Sequence, residues 1–264
     1  MRPWIIVILS FKACGIVLAA GHHLWAGGLL FFGPDPWLFL QFILPSAQAF
    51  GPAATSFATE RREVWLTIDD GPDPFTTPRV LELLAAHAAR ATFFVAGARV
   101  EKYPELARRI VAQGHTIGNH THGHPVADFW LASPGRTALE IDRCTAALRA
   151  AGVPYEPYFR PPVGVRNFFL DPQLAARGMQ LVLWGARGRD GVGHDPQAAA
   201  ARIARRIRPG AILIAHEAGS NPRERLSFLG LLLDHLSREG YACILPARAA
   251  LRSSPRDAGP LPSG

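Results

Sequence analysis

Residues 63–96 read EVWLTIDDGPDPFTTPRVLELLAAHAARATFFVA, and the fold follows from how this stretch divides. Val64–Ile68 is a short apolar run rich in β-formers and reads as a strand. Asp69-Asp70-Gly71-Pro72 has the composition of a turn. Pro78–Ala89 carries apolar residues at helical spacing, and Thr92–Ala96 is a second strand.

The same alternation continues outward. Pro104–Gln113 reads as a helix stopped by Gly114, and His115–Asn119 as a short strand. Gly135–Ala151 is a helix closed by Gly152, and Tyr158–Arg160 is a strand stopped by Pro161-Pro162. Gln180–Gly185, Ala211–Ala215 and Tyr241–Leu245 are further strands, each after a helical stretch. Such β-α alternation predicts an α/β fold, a deformed (β/α) barrel of about seven repeats over residues 60–250, with one strand missing or deformed. A doubly wound open sheet is the alternative. Both architectures bind ligands at the C-terminal ends of their strands. Asp69-Asp70, Arg160, the 185–190 loop and His216 all fall just after predicted strands.

The 264-residue chain carries a net charge of +7, and only Lys12 and Lys102 among its 28 basic residues are lysine. The arginines are scattered, without a basic run interleaved with aromatics, so no nucleic-acid partner is predicted. Cys14, Cys144 and Cys243 show neither pairing nor metal-ligand spacing and read as buried apolar residues. The tail 252–264, rich in Ser, Pro and Gly, reads as flexible.

Residues 1–50 form a hydrophobic N-terminal segment. WIIVILSFKACGIVLAA at 4–20 is short for a span and is interrupted by Lys12. Joined to residues 21–33 it reaches the length of a bilayer span and predicts a membrane anchor. Arg2 then argues for an N-terminus inside and a catalytic region outside the cytoplasm, at the inner membrane. A cleaved signal ending near Ala47-Gln48-Ala49, or a hydrophobic segment packed on the domain, are the other readings.

Four motifs carry chemistry. In Thr67-Ile68-Asp69-Asp70-Gly71-Pro72, adjacent carboxylates at a strand end point different ways, so one can reach a metal while the other does acid–base work. His120-Thr121-His122-Gly123-His124-Pro125 clusters three histidines, and a spacing of four lets two imidazoles converge on one ion. His122, two residues from each neighbour, points elsewhere. In Phe159-Arg160-Pro161-Pro162-Val163-Gly164 the prolines hold an arginine rigidly, where it can orient a carboxylate and keep it ionised. In Ile212-Leu213-Ile214-Ala215-His216 an apolar strand delivers a histidine suited to be a general acid or base.

In this order the motifs resemble those of the polysaccharide deacetylase (NodB-homology) family of carbohydrate esterases. TIDDGP resembles T-F-D-D-G-P, HTHGHP resembles H-[ST]-x-x-H-P, RPPVG resembles R-P-P-Y-G, and IAH resembles L-x-H. The resemblance covers about residues 60–250 and implies a deformed (β/α) barrel. It implies that Asp70, His120 and His124 bind a divalent metal, Zn²⁺ or Co²⁺. Asp69 is then the general base, oriented by Arg160, and His216 the general acid that protonates the leaving amine. The backbone N–H near Val163 helps to hold the oxyanion, and Ile214 lines the acyl methyl pocket. The implied reaction removes an N-acetyl group from a sugar polymer or glycoconjugate. Removal of a formyl or acyl group from a lipid-linked sugar, and a catalytically dead metal-holding module, are the alternatives.

One segment departs from the pattern. Where the family has D-x-x-D-W, this chain has Arg187-Gly188-Arg189-Asp190-Gly191. Asp190 remains and implies a partner for His216, while Gly191 replaces the Trp and Val163 replaces the Tyr of R-P-P-Y-G. The added Arg187 and Arg189 suit a more open groove and an anionic sugar.

Overall fold

The computed structural model describes residues 3–190, 195–219 and 221–253; Arg2, Gly191 and residues 254–264 of the predicted tail lie outside them. In chain order the elements are α1 (Pro3–Ala20), α2 (Leu24–Phe32), α3 (Asp35–Ile43), β1 (Ala53–Ala54), β2 (Ser56–Phe57), β3 (Glu63–Asp69), α4 (Thr77–Ala86), β4 (Ala91–Val95), α5 (Gly97–Lys102), α6 (Pro104–Ala112), β5 (Thr116–Asn119), α7 (Pro134–Ala150), β6 (Tyr158–Phe159), α8 (Leu170–Ala175), β7 (Gln180–Val182), β8 (Ala186–Arg187), α9 (Pro196–Ala204), β9 (Ile212–His216), α10 (Pro222–Arg238), β10 (Ala242–Cys243) and β11 (Leu251–Arg252).

The main sheet is parallel and curled, in the order β1-β7-β6-β5-β4-β3-β9-β8, with β10 also paired to the start of β3. This agrees with the deformed barrel. The segment read as one strand, Gln180–Gly185, is instead two short ones. Gln180–Val182 pairs with β6, whereas Ala186–Arg187 pairs with β9. One bent stretch thus bridges the two sides of the curl, and Gly185 at the bend leaves no room for a Cβ, which would lie 2.8 Å from the Thr55 carbonyl. The predicted tail also begins later than residue 252, because Arg252 pairs antiparallel with Ser56.

Strand alternation sorts the side chains. Val64, Leu66 and Ile68 face a core shared with Leu81 and Leu84 of α4, Ile110 of α6 and Leu232 of α10. Trp65 faces an inner cluster with Phe94, Tyr158 and Ile212. Thr67 and Asp69 continue that inner row toward the strand's C-terminal end, and β9 alternates likewise, with Leu213 and Ala215 outward. Asp69 and His216 are register partners on neighbouring strands.

The N-terminal segment is not one span over residues 4–33. The chain turns at Gly21–His23, and α2 packs back on α1. The helices touch at Gly15 and Gly27: a Cβ on Gly15 would lie 2.7 Å from the Gly27 carbonyl oxygen, so only glycine permits the approach. Lys12, an apparent interruption, donates to Asp35 Oδ1 (2.8 Å) and to the Phe31 carbonyl (3.0 Å). Among the described residues, α1 is the one helix long and apolar enough to cross a membrane, and more than half of its residues are exposed.

This helical unit is docked on the barrel. The buried Arg166 donates through its guanidinium to the carbonyls of Leu44 and Ala47, and its backbone N–H reaches Phe42. Phe42 in turn meets Phe168 (5.1 Å between ring centres) and Trp130 (6.4 Å).

Leu213 is fully buried between sheet and helices. Leu213→Ala is expected to lower unfolding stability by about 3 kcal/mol, read as an earlier denaturation midpoint at unchanged slope.

Candidate active site

Thr67 and Asp69 share the inner face of β3, and the next residue should point outward. Asp70 does not, because its backbone adopts φ 76°, a left-handed conformation that turns its side chain back over the sheet. Both carboxylates therefore line one cleft of about 510 Å³ at the C-terminal end of the strands. The expectation that they point different ways fails for this reason: His120 Nε2 faces both, 3.4 Å from Asp70 Oδ1 and 3.8 Å from Asp69 Oδ2, while Arg160 pairs with Asp69 and His124 with Asp70.

Asp69 is 2% exposed, and its Oδ1 accepts from Arg160 Nη1 at 2.7 Å. Arg160 is fully buried. Its Nη1 also donates to Thr67 Oγ1, its Nε to the Val182 carbonyl and its Nη2 to the Leu183 carbonyl, and its guanidinium lies 4.2 Å from the centre of the Phe94 ring. A buried cation satisfied on all sides holds one carboxylate in one orientation.

Asp70 Oδ1 lies 3.0 Å from His124 Nε2 and 3.4 Å from His120 Nε2. Burial would raise its carboxyl, yet the two imidazoles hold it well below the ordinary carboxylate range. One ligand atom from each of Asp70, His120 and His124 falls within 4.8 Å of the others, which suits one small cation. The donor chemistry fits as well. His120 Nδ1 donates to the Arg160 carbonyl at 2.7 Å, which leaves the Nε2 lone pair for a metal. His122, as expected, turns away: its Nε2 meets Glu101 at 3.1 Å.

The histidine loop needs support that sequence reading missed. Thr121 and His124 both have positive φ, a strained state for residues with a Cβ. The buried Asn119 accepts from the Thr121 N–H, and Glu140 accepts from the N–H groups of His122 and Gly123. A side chain two residues upstream and another 17 to 18 residues downstream thus hold the loop in place.

His216 lines the same cleft beside Asp69, on the neighbouring strand. Its N–H donates to Asp190 Oδ2 at 2.8 Å, and its Nδ1 lies 3.1 Å from both Asp190 oxygens. Burial favours the neutral ring, but the Asp190 carboxylate, helped by Asp70 and Asp69, raises it to about 9. The imidazolium therefore dominates at neutral pH. Val163 and Ile214 line the cleft with Trp184, Arg187, Arg189 and Arg225, whereas Arg160 and Asp190 stand behind the residues they orient. Gly191 lies outside the described residues.

Glu217 was also missed. It is 1% exposed, accepts from Thr77 Oγ1 at 2.6 Å, and leaves Oε1 without a hydrogen-bond partner among the described residues. Burial pushes its carboxyl up to about 8, so it is neutral at pH 7. Oε1 abuts Gly71, where a Cβ would sit only 1.5 Å away. Glycine is thus required in the Asp69–Pro72 turn for packing. Gly71→Ala is expected to cost about 1–3 kcal/mol. A second substitution, Glu217→Ala, is expected to restore part of it in a double-mutant cycle followed by denaturation.

Residues 57–182 match the Polysaccharide deacetylase family. The chain is 38% identical over 192 residues to a chitooligosaccharide deacetylase of Bradyrhizobium sp. (strain ANU 289), covering 68% of this chain and 87% of that protein. It is 32% identical over 179 residues to a peptidoglycan-N-acetylglucosamine deacetylase of Bacillus cereus, covering 67% and 82%. Among solved structures it is similar to a family 4 carbohydrate esterase from Streptomyces lividans in complex with acetate (TM-score 0.64, 25% identity, 77% of this chain and 100% of that one). It is also similar to a family 4 pseudoenzyme from Bacillus anthracis (TM-score 0.65, 26% identity, 73% and 67%). With the curled parallel sheet and the clustered motifs, these likenesses place the chain in the polysaccharide deacetylase family, hydrolases of carbon–nitrogen bonds.

Proposed function

We propose that this protein removes an N-acyl group, acetyl above all, from an amino sugar in a polymer or glycoconjugate. The observation that supports the reading is the register pairing of Asp69 with His216, side by side at the strand ends of the cleft that Asp70, His120 and His124 also line. Those three residues would hold a divalent metal, Zn²⁺ or Co²⁺. When bound, such an ion polarises the amide carbonyl and makes water easier to deprotonate.

The chain's own groups divide the remaining work. Asp69, held by Arg160, takes a proton from the attacking water. His216, kept charged by Asp190, gives a proton to the departing nitrogen as the carbon–nitrogen bond breaks. The backbone N–H near Val163 would add a donor for the oxyanion, and Ile214 would pack against the acyl methyl. The products are a carboxylate and a free amine. A dead metal-holding module would have no use for the Asp69–Arg160 and His216–Asp190 pairs.

We further propose that residues 1–50 anchor the catalytic domain (60–250) to the inner membrane, with the domain outside the cytoplasm. Supporting this, α1 and α2 expose Ile16, Val17, Leu24, Leu29 and Trp25, the last 94% exposed. Deacylation of a lipid-linked sugar is the second reading. It gains support from the Phe42 contacts, which bring the apolar helices next to the segments carrying Val163 and Val126 of the cleft.

The test is a product screen for acetate and formate with chitooligosaccharides, peptidoglycan fragments and lipid-linked sugars. Chelation is expected to abolish turnover and Zn²⁺ or Co²⁺ to restore it; a binding module would hydrolyse nothing in either state. Asp69→Asn is expected to lower kcat by about 10²–10⁴-fold while metal content is retained. Loss of the metal in this variant would reverse the roles assigned to Asp69 and Asp70.

The His216 pair sets a pH dependence. A raised value keeps the acid protonated below about 9, so activity should fall as pH rises through that point. Asp190→Asn removes the main stabilising charge, and the alkaline limb of the pH–rate profile is expected to shift to lower pH.

A further inference from the structure

The cleft contains more positive charge than the chemistry above uses. Arg187 is the register partner of Ile214, so its side chain shares the inner face with Ile214 and His216. Its guanidinium lies 5.8 Å from the centre of the Trp184 ring. Arg189 follows in a left-handed conformation, φ 65°, just before the Asp190 that grips His216. Arg225, in the first turn of α10, is 6% exposed and brings Nη1 to 3.8 Å from Asp70 Oδ2. All three line the same cleft.

Resting on the deacylase reading, we propose that Arg187, Arg189 and Arg225 form a subsite for an oxyanion carried by the sugar substrate, a phosphate or a carboxylate. Three arginines from two segments, Arg187 and Arg189 around the end of β8 and Arg225 in α10, line one concavity. Arg187 is partly desolvated, and Arg189 and Arg206 act on it with charge of like sign. A neutral sugar leaves that repulsion in place. An oxyanion relieves it and accepts the paired N–H groups that a guanidinium presents. Trp184 limits the sweep of Arg187, and the Asp190–His216 bonds fix the backbone beside Arg189. The oxyanion would therefore sit beside the acyl-bearing sugar, close to the general acid.

The test compares three small sugars: methyl N-acetylglucosaminide as the neutral reference, N-acetylglucosamine 1-phosphate, and N-acetylmuramic acid with its carboxylate. Acetate release by the metal-loaded protein gives kcat/KM, and calorimetry on the Asp69→Asn chain gives affinity without turnover. At least one oxyanion sugar is expected to exceed the neutral one by about tenfold or more in affinity at low salt. The phosphate and carboxylate arms show which source the subsite prefers. Arg187→Ala/Arg189→Ala is expected to bring the ratio close to one, and Arg187→Lys/Arg189→Lys to keep part of it. Raising salt from about 50 to 500 mM should shrink the preference. Equal handling of neutral and anionic sugars by the natural chain would overturn the proposal, as would a preference that survives in the double-alanine chain. If no sugar releases acetate while arginine-dependent binding of the oxyanion persists, the hydrolase reading fails and the subsite stands. If the neutral sugar is hydrolysed without anion preference, the subsite fails and the hydrolase reading stands.

Discussion

A charged guanidinium lies at the centre of this barrel. Arg160 has no exposed surface, so its charge must be met by protein groups or the strands around it would part. Asp69 supplies the counter-charge, Thr67 a hydroxyl, Val182 and Leu183 their carbonyls, and Phe94 its ring face. These partners belong to β3, β4 and the β7 segment, and the Arg160 carbonyl also receives the His120 ring. One residue thus ties the sheet together, orients the Asp69 carboxylate and sets the tautomer of the His120 ring.

Much of this was legible in the sequence, because the signal was local. A β-formers' run ending in Asp69-Asp70, or in His216, places polar groups at a strand's C-terminal end in any α/β fold. The histidine cluster and the rigid Arg160-Pro161-Pro162 are likewise visible as short words. What escaped was non-local. Asp70 enters the cleft through a backbone reversal that composition does not encode. Glu140 and Glu217 act on residues distant in the chain, Asn119 links the nearby Thr121 N–H to the Ile141 carbonyl of α7, and alone each looks like an ordinary polar residue. The break at Trp184-Gly185 depends on which strand each half meets. Hydropathy measured the length of the N-terminal segment but could not see that Gly15 and Gly27 let it fold back on itself.

The site also depends on groups held in unfavourable states. Asp70, Thr121, His124, Val163 and Arg189 all have positive φ, and Glu217 is buried with one oxygen unpartnered among the described residues. Such strain persists where the surrounding structure over-determines it, and here it gathers around one cleft. The Glu140 and Asn119 bonds to the histidine loop and the close packing of Gly164 on Trp184 supply the opposing constraints.

The docking of the N-terminal helices by Arg166 bears on reach. A segment joined to a domain by a flexible linker lets the domain wander over a range set by linker length. Here the guanidinium clasps the carbonyls of Leu44 and Ala47 only a few residues after the Pro161–Gly164 loop. The helices are therefore tied to that part of the barrel directly as well as through the chain. The placement of the helices beside the mouth of the cleft is thus set by packed side chains and hydrogen bonds rather than by the length of a linker.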